Sequence, residues 1–263
     1  MKKTKAIVFG VSSFCTVFMA QAANASEGGG NAYPLGAETV NPGILPPKPG
    51  LYWQHYTQLN HSGQVNGPDG EPRPVPNFDL RVIGNAERLI YVTNMKLAGG
   101  QVVLQTIVPH GDIRFRAGAV RRHAYQLGDI SGGAFLSWHS PKLHGWIGPN
   151  IYFPTGGYNR NEPANIGRNV ITYSLQGGVT YLPTPKIELG LKGYAAFTSK
   201  NEATQYQSGE EIAIEYLVAY RAKNKIRLGI QGGSVAKIVK LEHAWRRLNG
   251  WSDDGFQVAP FPG

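Results

Sequence analysis

From Gly50 to about residue 235 the chain repeats apolar and polar residues with period two, and the connections between the runs alternate between long and short. Period-two alternation marks half-buried β-strands, because successive side chains on a strand point to opposite faces. No convincing helical periodicity competes with it. Eleven strands are predicted, near 50–61, 77–86, 88–96, 100–108, 112–119, 129–139, 143–154, 169–181, 186–198, 210–222 and 225–235. The long polar HSGQVNGPDGEPRPV follows the first strand. Almost nothing follows the second, LAG follows the third, and HG lies in the short break after the fourth. RRHAYQLG and SPK follow the fifth and sixth, and the stretch from Pro154, PTGGYNRNEPANIGR, follows the seventh. PTPK, NEATQYQSG and AKNK complete the series. Long connections therefore follow odd-numbered strands and short ones even-numbered strands, with the third connection as the exception. A soluble sandwich has no reason to sort its loops in this way. An outer-membrane barrel does, with tight turns at the periplasmic end and long loops outside. The expected fold is all-β, an antiparallel up-and-down outer-membrane β-barrel, and the stretch from Pro154 is then its fourth external loop.

The two faces of the strands agree with this reading. Between Lys186 and Ser199, Ile187, Leu189, Leu191, Ala195 and Phe197 share one face, while Glu188, Lys192, Tyr194 and Thr198 share the other. A lipid-facing surface must be apolar, whereas a lumen tolerates charge. Arg81, Arg114, Arg116, Glu188, Lys192, Glu215 and Arg221 are accordingly expected to line the lumen. Tyr52, Trp53, Tyr91, Trp138, Trp146, Tyr152, Phe153, Tyr181 and Tyr220 fall near strand ends, where aromatic girdles meet the membrane interface. Any one of them is an ordinary strand aromatic; the set carries the argument.

Composition bounds the alternatives. Of 263 residues only 16% are charged, against about a quarter in soluble domains. Mean hydropathy is negative, and no segment after the first 25 residues approaches about eighteen consecutive apolar residues, so a bundle of membrane helices is excluded. The first 25 residues read as a secretory signal peptide: MKKTK is basic, AIVFGVSSFCTVFMA is apolar, and Ala23 and Ala25 form a small-x-small cleavage site. The single Cys leaves with it, so neither a disulfide nor thiol chemistry is expected afterwards. Residues 26–49 are a Gly/Pro-rich N-terminal segment, 50–235 the barrel, and 236–263 an atypical C-terminal tail.

Catalytic and cofactor chemistry finds little support. The GGYNRNEPANIGRN stretch has no GK[ST], and the chain after it is strand rather than helix, so it does not cradle phosphate. Ser137 and His139 stand two apart on one strand face, a spacing that could serve an outer-membrane lipid hydrolase, but no orienting partner is evident. The seven His show neither HxH nor HExxH spacing, so no metal site and no cofactor is expected. The basic residues alternate along strands instead of forming a patch, which argues against nucleic acid.

Four stretches, in order, carry a family resemblance: GGGNAYPLGAETVNPGILPPKPGLYW, NAERLIYVTNMKLAGG, FPTGGYNRNEPANIGRN and QYQSGEEIAIEYLVAYR. Over about Gly28 to Gly233 the chain resembles the bacterial family "protein involved in meta-pathway of phenol degradation". The resemblance implies an outer-membrane barrel of about 12 strands in a Gram-negative bacterium, inserted by the barrel-assembly machinery into outer-membrane lipid. It further implies passive admission of small aromatic or hydrophobic solutes, without catalysis. A non-transporting structural or adhesion barrel, its lumen plugged by residues 26–49, stays open as an alternative beside the hydrolase. The loop motif that the resemblance transfers is Pro154, Thr155 and Gly156 with Asn165, Ile166, Gly167, Arg168 and Asn169, together with Tyr206–Gly209. After Gly233 the chain alternates poorly and ends in Pro-Phe-Pro-Gly, so it is expected to be altered or cut short relative to the family. An odd strand count points the same way, because bacterial single-chain barrels have even counts.

Overall fold

The computed structural model describes residues 33–238 apart from 37, 39, 67–70 and 223–225. The expected signal peptide with Ala23 and Ala25, and the tail beyond 238, lie outside the described residues. The described residues form twelve strands: β1 (Gly50–Ser62), β2 (Val65–Asn66), β3 (Pro72–Arg73), β4 (Asp79–Leu97), β5 (Gly100–Ala117), β6 (Val120–Leu127), β7 (Ser131–His139), β8 (Leu143–Tyr152), β9 (Thr172–Thr184), β10 (Ile187–Thr198), β11 (Glu210–Arg221) and β12 (Arg227–Ile238). No helix is present among the described residues.

One antiparallel sheet runs in the order β1-β4-β5-β7-β8-β9-β10-β11-β12, curled into a section of barrel, with β6 paired to the far half of β5. β2 and β3 form a small hairpin in the connection after β1. Nine strands therefore span the sheet among the described residues. Since every neighbour is antiparallel and nine is odd, β1 and β12 run in the same direction.

The strand count corrects the sequence reading. The predicted strands 77–86 and 88–96 are one strand, β4, and 100–108 and 112–119 are also one, β5. Gly84 and Gly111 lie opposite each other inside these strands rather than at a turn. Gly and Pro look like breakers in sequence, yet here the ladder continues through them. With the two strands joined, the loop rule loses its exception. Tight turns after β4, β7, β9 and β11 share one end, and the long connections after β1, β8 and β10 share the other with the β5-to-β7 connection, where the expected loop RRHAYQLG is instead mostly the strand β6, reached from β5 by a two-residue turn. The stretch from Pro154 is consequently the third long loop, not the fourth. The turn after β4 is tight because Ala98 and Gly99 both take positive φ, 48° and 74°; this is the conformation whose twist matches a hairpin.

Burial alternates as strictly as the sequence does. On β11, Glu211, Ala213, Glu215, Leu217 and Ala219 are buried, and the residues between them are exposed. Leu51, Leu104, Ile147, Leu175, Leu191, Ile214 and Ile230 belong to a broad exposed apolar surface on the convex side. Such a surface is tolerable only against lipid. The concave side holds the buried residues, and it is occupied by the chain's own N-terminal segment.

Candidate functional site

The described residues between 33 and 49 have no regular structure because Pro and Gly interrupt them, and they lie along the concave face. Backbone groups do much of the fastening. Gly43 donates its N–H to Thr180 Oγ1 at 2.9 Å, and Pro42 accepts from Trp146 Nε1 at 2.7 Å through its carbonyl oxygen. The approach is so close that a Cβ on Gly178 would stand 1.9 Å from the Pro42 carbonyl oxygen, and one on Gly43 would stand 2.1 Å from the Thr180 nitrogen. Glycine is required at both positions by space, not by φ.

Two halves of the inner face differ in chemistry. The apolar half joins Leu45 of the segment to Ile90, Val92, Val103, Phe135 and Trp146, with Tyr52 packed against them. Phe135 and Trp146 meet edge to face at 5.1 Å, a favoured aromatic geometry. The charged half is built around Glu38, whose carboxylate bridges Arg88 on β4 and Lys192 on β10. Arg88 is held by Gln105 Oε1, which accepts from its Nε at 2.9 Å and its Nη2 at 2.7 Å. Lys192 Nζ also lies 4.8 Å from the Tyr33 ring centroid and 5.6 Å from that of Trp146, within cation–π range. Tyr33 donates its backbone N–H to Glu211 at 3.1 Å and its hydroxyl to Glu215, and Gly36 donates its N–H to Glu215. Each buried charge thus faces an opposite charge or a donor, the condition under which burial of ions is tolerated. At the tight-turn end Glu188, also buried, lies 3.4 Å from Arg227 Nε and 3.8 Å from Arg221 Nε.

Of the seven residues expected to line the lumen, Glu188, Lys192, Glu215 and Arg221 do lie on the concave side. Arg81, Arg114 and Arg116 do not. On β4 the even-numbered Arg88, Ile90 and Val92 point inward, so the odd-numbered Arg81 points outward with Ile83 and Leu89. On β5 the odd-numbered Val103, Gln105 and Ile113 point inward, so Arg114 and Arg116 point outward. The apolar side of this strand extension packs inward, with Phe78 edge-on to Phe115 at 5.9 Å. Charge alone could not reveal the phase; counting from a buried anchor such as Arg88 would have done so. The sequence reading also missed Glu38 and Arg88, because nothing in a Pro/Gly-rich segment signals a partner across the sheet.

The loop motif is fastened rather than free. Asp129, before β7, accepts the N–H of Gly156 at 3.0 Å and of Arg168 at 2.8 Å. Burial pushes the Asp129 carboxyl above its ordinary range, and the two amides oppose that shift. Thr155 Oγ1 accepts the N–H of Ile130, Gly167 donates to the Gly157 carbonyl at 3.1 Å, and Asn169 donates to Asn201 Oδ1 at 2.8 Å. Asn165 holds the loop's own backbone through Asn159. Ile166 lies against the inward-facing Gly111 and against Gly128, so the loop covers the concave side of the extension. Pro154 is exposed at its base. In the second motif, Thr198 Oγ1 donates to the Ser208 carbonyl.

Ser137 and His139 are in contact, Oγ to Nε2 at 2.9 Å, but the other ring nitrogen of His139 meets His144 at 3.0 Å rather than a carboxylate. Ser137 is 2% exposed and faces the concave side, whereas a membrane-lipid hydrolase needs its nucleophile open to lipid. Among the described residues no group of three or more His, Cys, Asp or Glu could hold a metal ion.

A family model described as "Putative MetA-pathway of phenol degradation" matches residues 60–244. Among solved structures, an outer membrane channel from Pseudomonas putida F1 is similar at 19% identity with a TM-score of 0.65, over 75% of this chain and 76% of that one. No curated protein matches.

Proposed function

The chain belongs to the family "Putative MetA-pathway of phenol degradation", and from that premise we propose that it is an outer-membrane channel admitting small aromatic or hydrophobic solutes by passive transport. The observation that carries this reading is the divided inner face. Leu45, Ile90, Val92, Val103, Phe135 and Trp146 offer an apolar, aromatic wall, and Glu38, Arg88 and Lys192 lie beside it. A flat apolar ring can slide along such a wall, while the charged half offers a polar group a partner and disfavours bulk lipid. Glu188, Lys192, Glu215 and Arg221 would line the path from the charged half to the tight-turn end. The path opens when residues 33–49 yield, since those residues now occupy it. No reaction is catalysed in this reading. The outer-membrane setting rests on the convex apolar surface, the sorted loops and the fold shared with the Pseudomonas channel.

The test is conductance in a planar bilayer, measured for the full chain and for a chain lacking 33–49, followed by uptake of a labelled phenol into proteoliposomes. A low conductance that rises on removal of the segment, with phenol entry rising in parallel, is the expected result. Silence in both forms would overturn transport and leave a structural barrel.

A further inference from the structure

We propose that the outward face of the β1-β4-β5-β6 extension binds the phosphorylated core sugars of outer-leaflet lipopolysaccharide; this rests on the outer-membrane reading above. The register places His61 opposite Arg81, Arg81 opposite Arg114, and Arg114 opposite His123, so four cationic or protonatable side chains form one row across four strands. Their side chains are 59%, 62%, 64% and 61% exposed, in the order His61, Arg81, Arg114, His123. The next row on the same face sets Asp79 opposite Arg116 and Arg116 opposite Arg121.

Like charges directly opposite one another on a sheet are destabilising, and a chain avoids them unless something else neutralises them. Two acids supply part of that. Asp79 lies 3.1 Å from Arg81 and 3.4 Å from His61, and Asp112 lies 3.1 Å from Arg114 and 2.5 Å from His123. Arg116 and Arg121 face each other, and neither meets a carboxylate among the described residues. Four guanidinium groups against two carboxylates leave the face cationic, and guanidinium is the group suited to bidentate contact with phosphate.

Position identifies the anion. Trp53 stands opposite Leu89 and donates its Nε1–H to Glu87; above them on β4 come Asn85 and then an exposed apolar pair, Ile83 opposite Leu59. Arg81 is eight residues further along than Leu89, roughly 27 Å of strand, or about 20 Å of height at ordinary barrel tilts. That height clears the acyl chains and the lipid head groups at the interface, and reaches the phosphate-bearing sugars above them. The long connections share this end of the sheet, which is the outer end by the loop rule.

The experiment titrates purified full-length protein in detergent with fluorescent rough-type lipopolysaccharide carrying a phosphorylated core, and with the same glycolipid after removal of its phosphates. Wild type should bind the phosphorylated form, more weakly as salt rises, and bind the dephosphorylated form poorly. R81Q/R114Q/R116Q should weaken binding roughly a hundredfold, while Arg122→Gln, whose side chain pairs with Glu162 instead, should leave it unchanged. Heat-modifiability of each sample reports that the barrel is folded; if the triple variant fails this, Arg114→Gln alone should still weaken binding about fivefold. Equal affinity of wild type and folded variant, or of the two glycolipids, would overturn the proposal. Absence of the protein from outer-membrane fractions would overturn the channel reading separately, whatever the titration gives.

Discussion

Two regions carry charged residues in the same alternating pattern and treat them in opposite ways. On β10 and β11 the charged face is inward: Glu188, Lys192 and Glu215 are each 1% exposed. On the extension of β4 and β5 the charged face is outward, and Arg81 and Arg114 are more than half exposed. Alternation defines a pair of faces on a strand, but it does not say which one turns inward. That is decided by what each face can rest against. The inner face of β10–β11 rests against Glu38, Tyr33 and backbone donors of the N-terminal segment, so ions there are neutralised without water. On the extension Leu80, Val82, Ile113 and Phe115 turn inward, the side that the 153–171 loop covers, while the Arg residues keep the outward side.

The sharpest way to break this comparison is to remove one charge from each region. Lys192→Met leaves Glu38 with Arg88 as its one remaining ion-pair partner among the described residues and removes the cation nearest the buried Glu215. It should cost about 3–5 kcal/mol, the usual penalty for breaking a buried pair from one side, read as a drop in the urea midpoint of the folded, heat-modifiable band. Arg114→Gln, whose own side chain is 64% exposed, should leave that midpoint unmoved. Equal effects would mean that burial does not separate the two regions. Next in size is Gly178→Ala. Its methyl would collide with the Pro42 carbonyl, and overpacking of this kind costs about 1–3 kcal/mol. The strand can keep its ladder, so the expected relief is expulsion of residues 33–49 from the concave face. Conductance should rise and the Gly43 N–H, now bonded to Thr180, should lose its protection from hydrogen exchange. A stable variant with unchanged conductance would show that the segment does not block the path.

The legible and illegible parts of this molecule divide along physical lines. The sheet-spanning strands and most of the loop sorting were legible, because side-chain alternation and loop polarity are written residue by residue, but Val120–Leu127 read as a loop and is a strand. Strand joining was not: Gly84 and the Pro109–Gly111 stretch read as breaks, and only cross-strand pairing carries the ladder through them. The inward position of Glu188, Lys192 and Glu215 was legible from their apolar alternates, while that of Arg81, Arg114 and Arg116 was misread. Those three alternate with Leu80, Val82, Ile113 and Phe115, which are apolar for packing rather than for lipid. The occupied lumen was hidden most deeply. Its contacts run through the N–H of Tyr33, Gly36 and Gly43 and the carbonyl of Pro42, and backbone groups leave no signature in sequence.

The smallest effect expected lies at Asp129, which stands between the two regimes, partly buried and bonded only to amides. Its raised carboxyl pKa, caused by desolvation and opposed by the Arg168 and Gly156 amides, sets the sign. A folded-state value above the unfolded one means the folded loop holds its proton more tightly. The resulting stability is fully present below the ordinary carboxylate range and is lost as pH rises through the raised value. The 153–171 loop should therefore be slightly better anchored near pH 5 than near pH 8. Hydrogen exchange at the Gly156 and Arg168 amides, corrected for intrinsic rates, should show greater protection at the lower pH. Asp129→Asn removes the titration while keeping one acceptor oxygen, so it should weaken the anchor at both values and abolish the difference between them. The opposite slope in the wild type would mean that the two amide bonds outweigh burial. Asp129 would then behave like a capped surface carboxylate, and the contrast between covered and exposed charge would stop short of the loops.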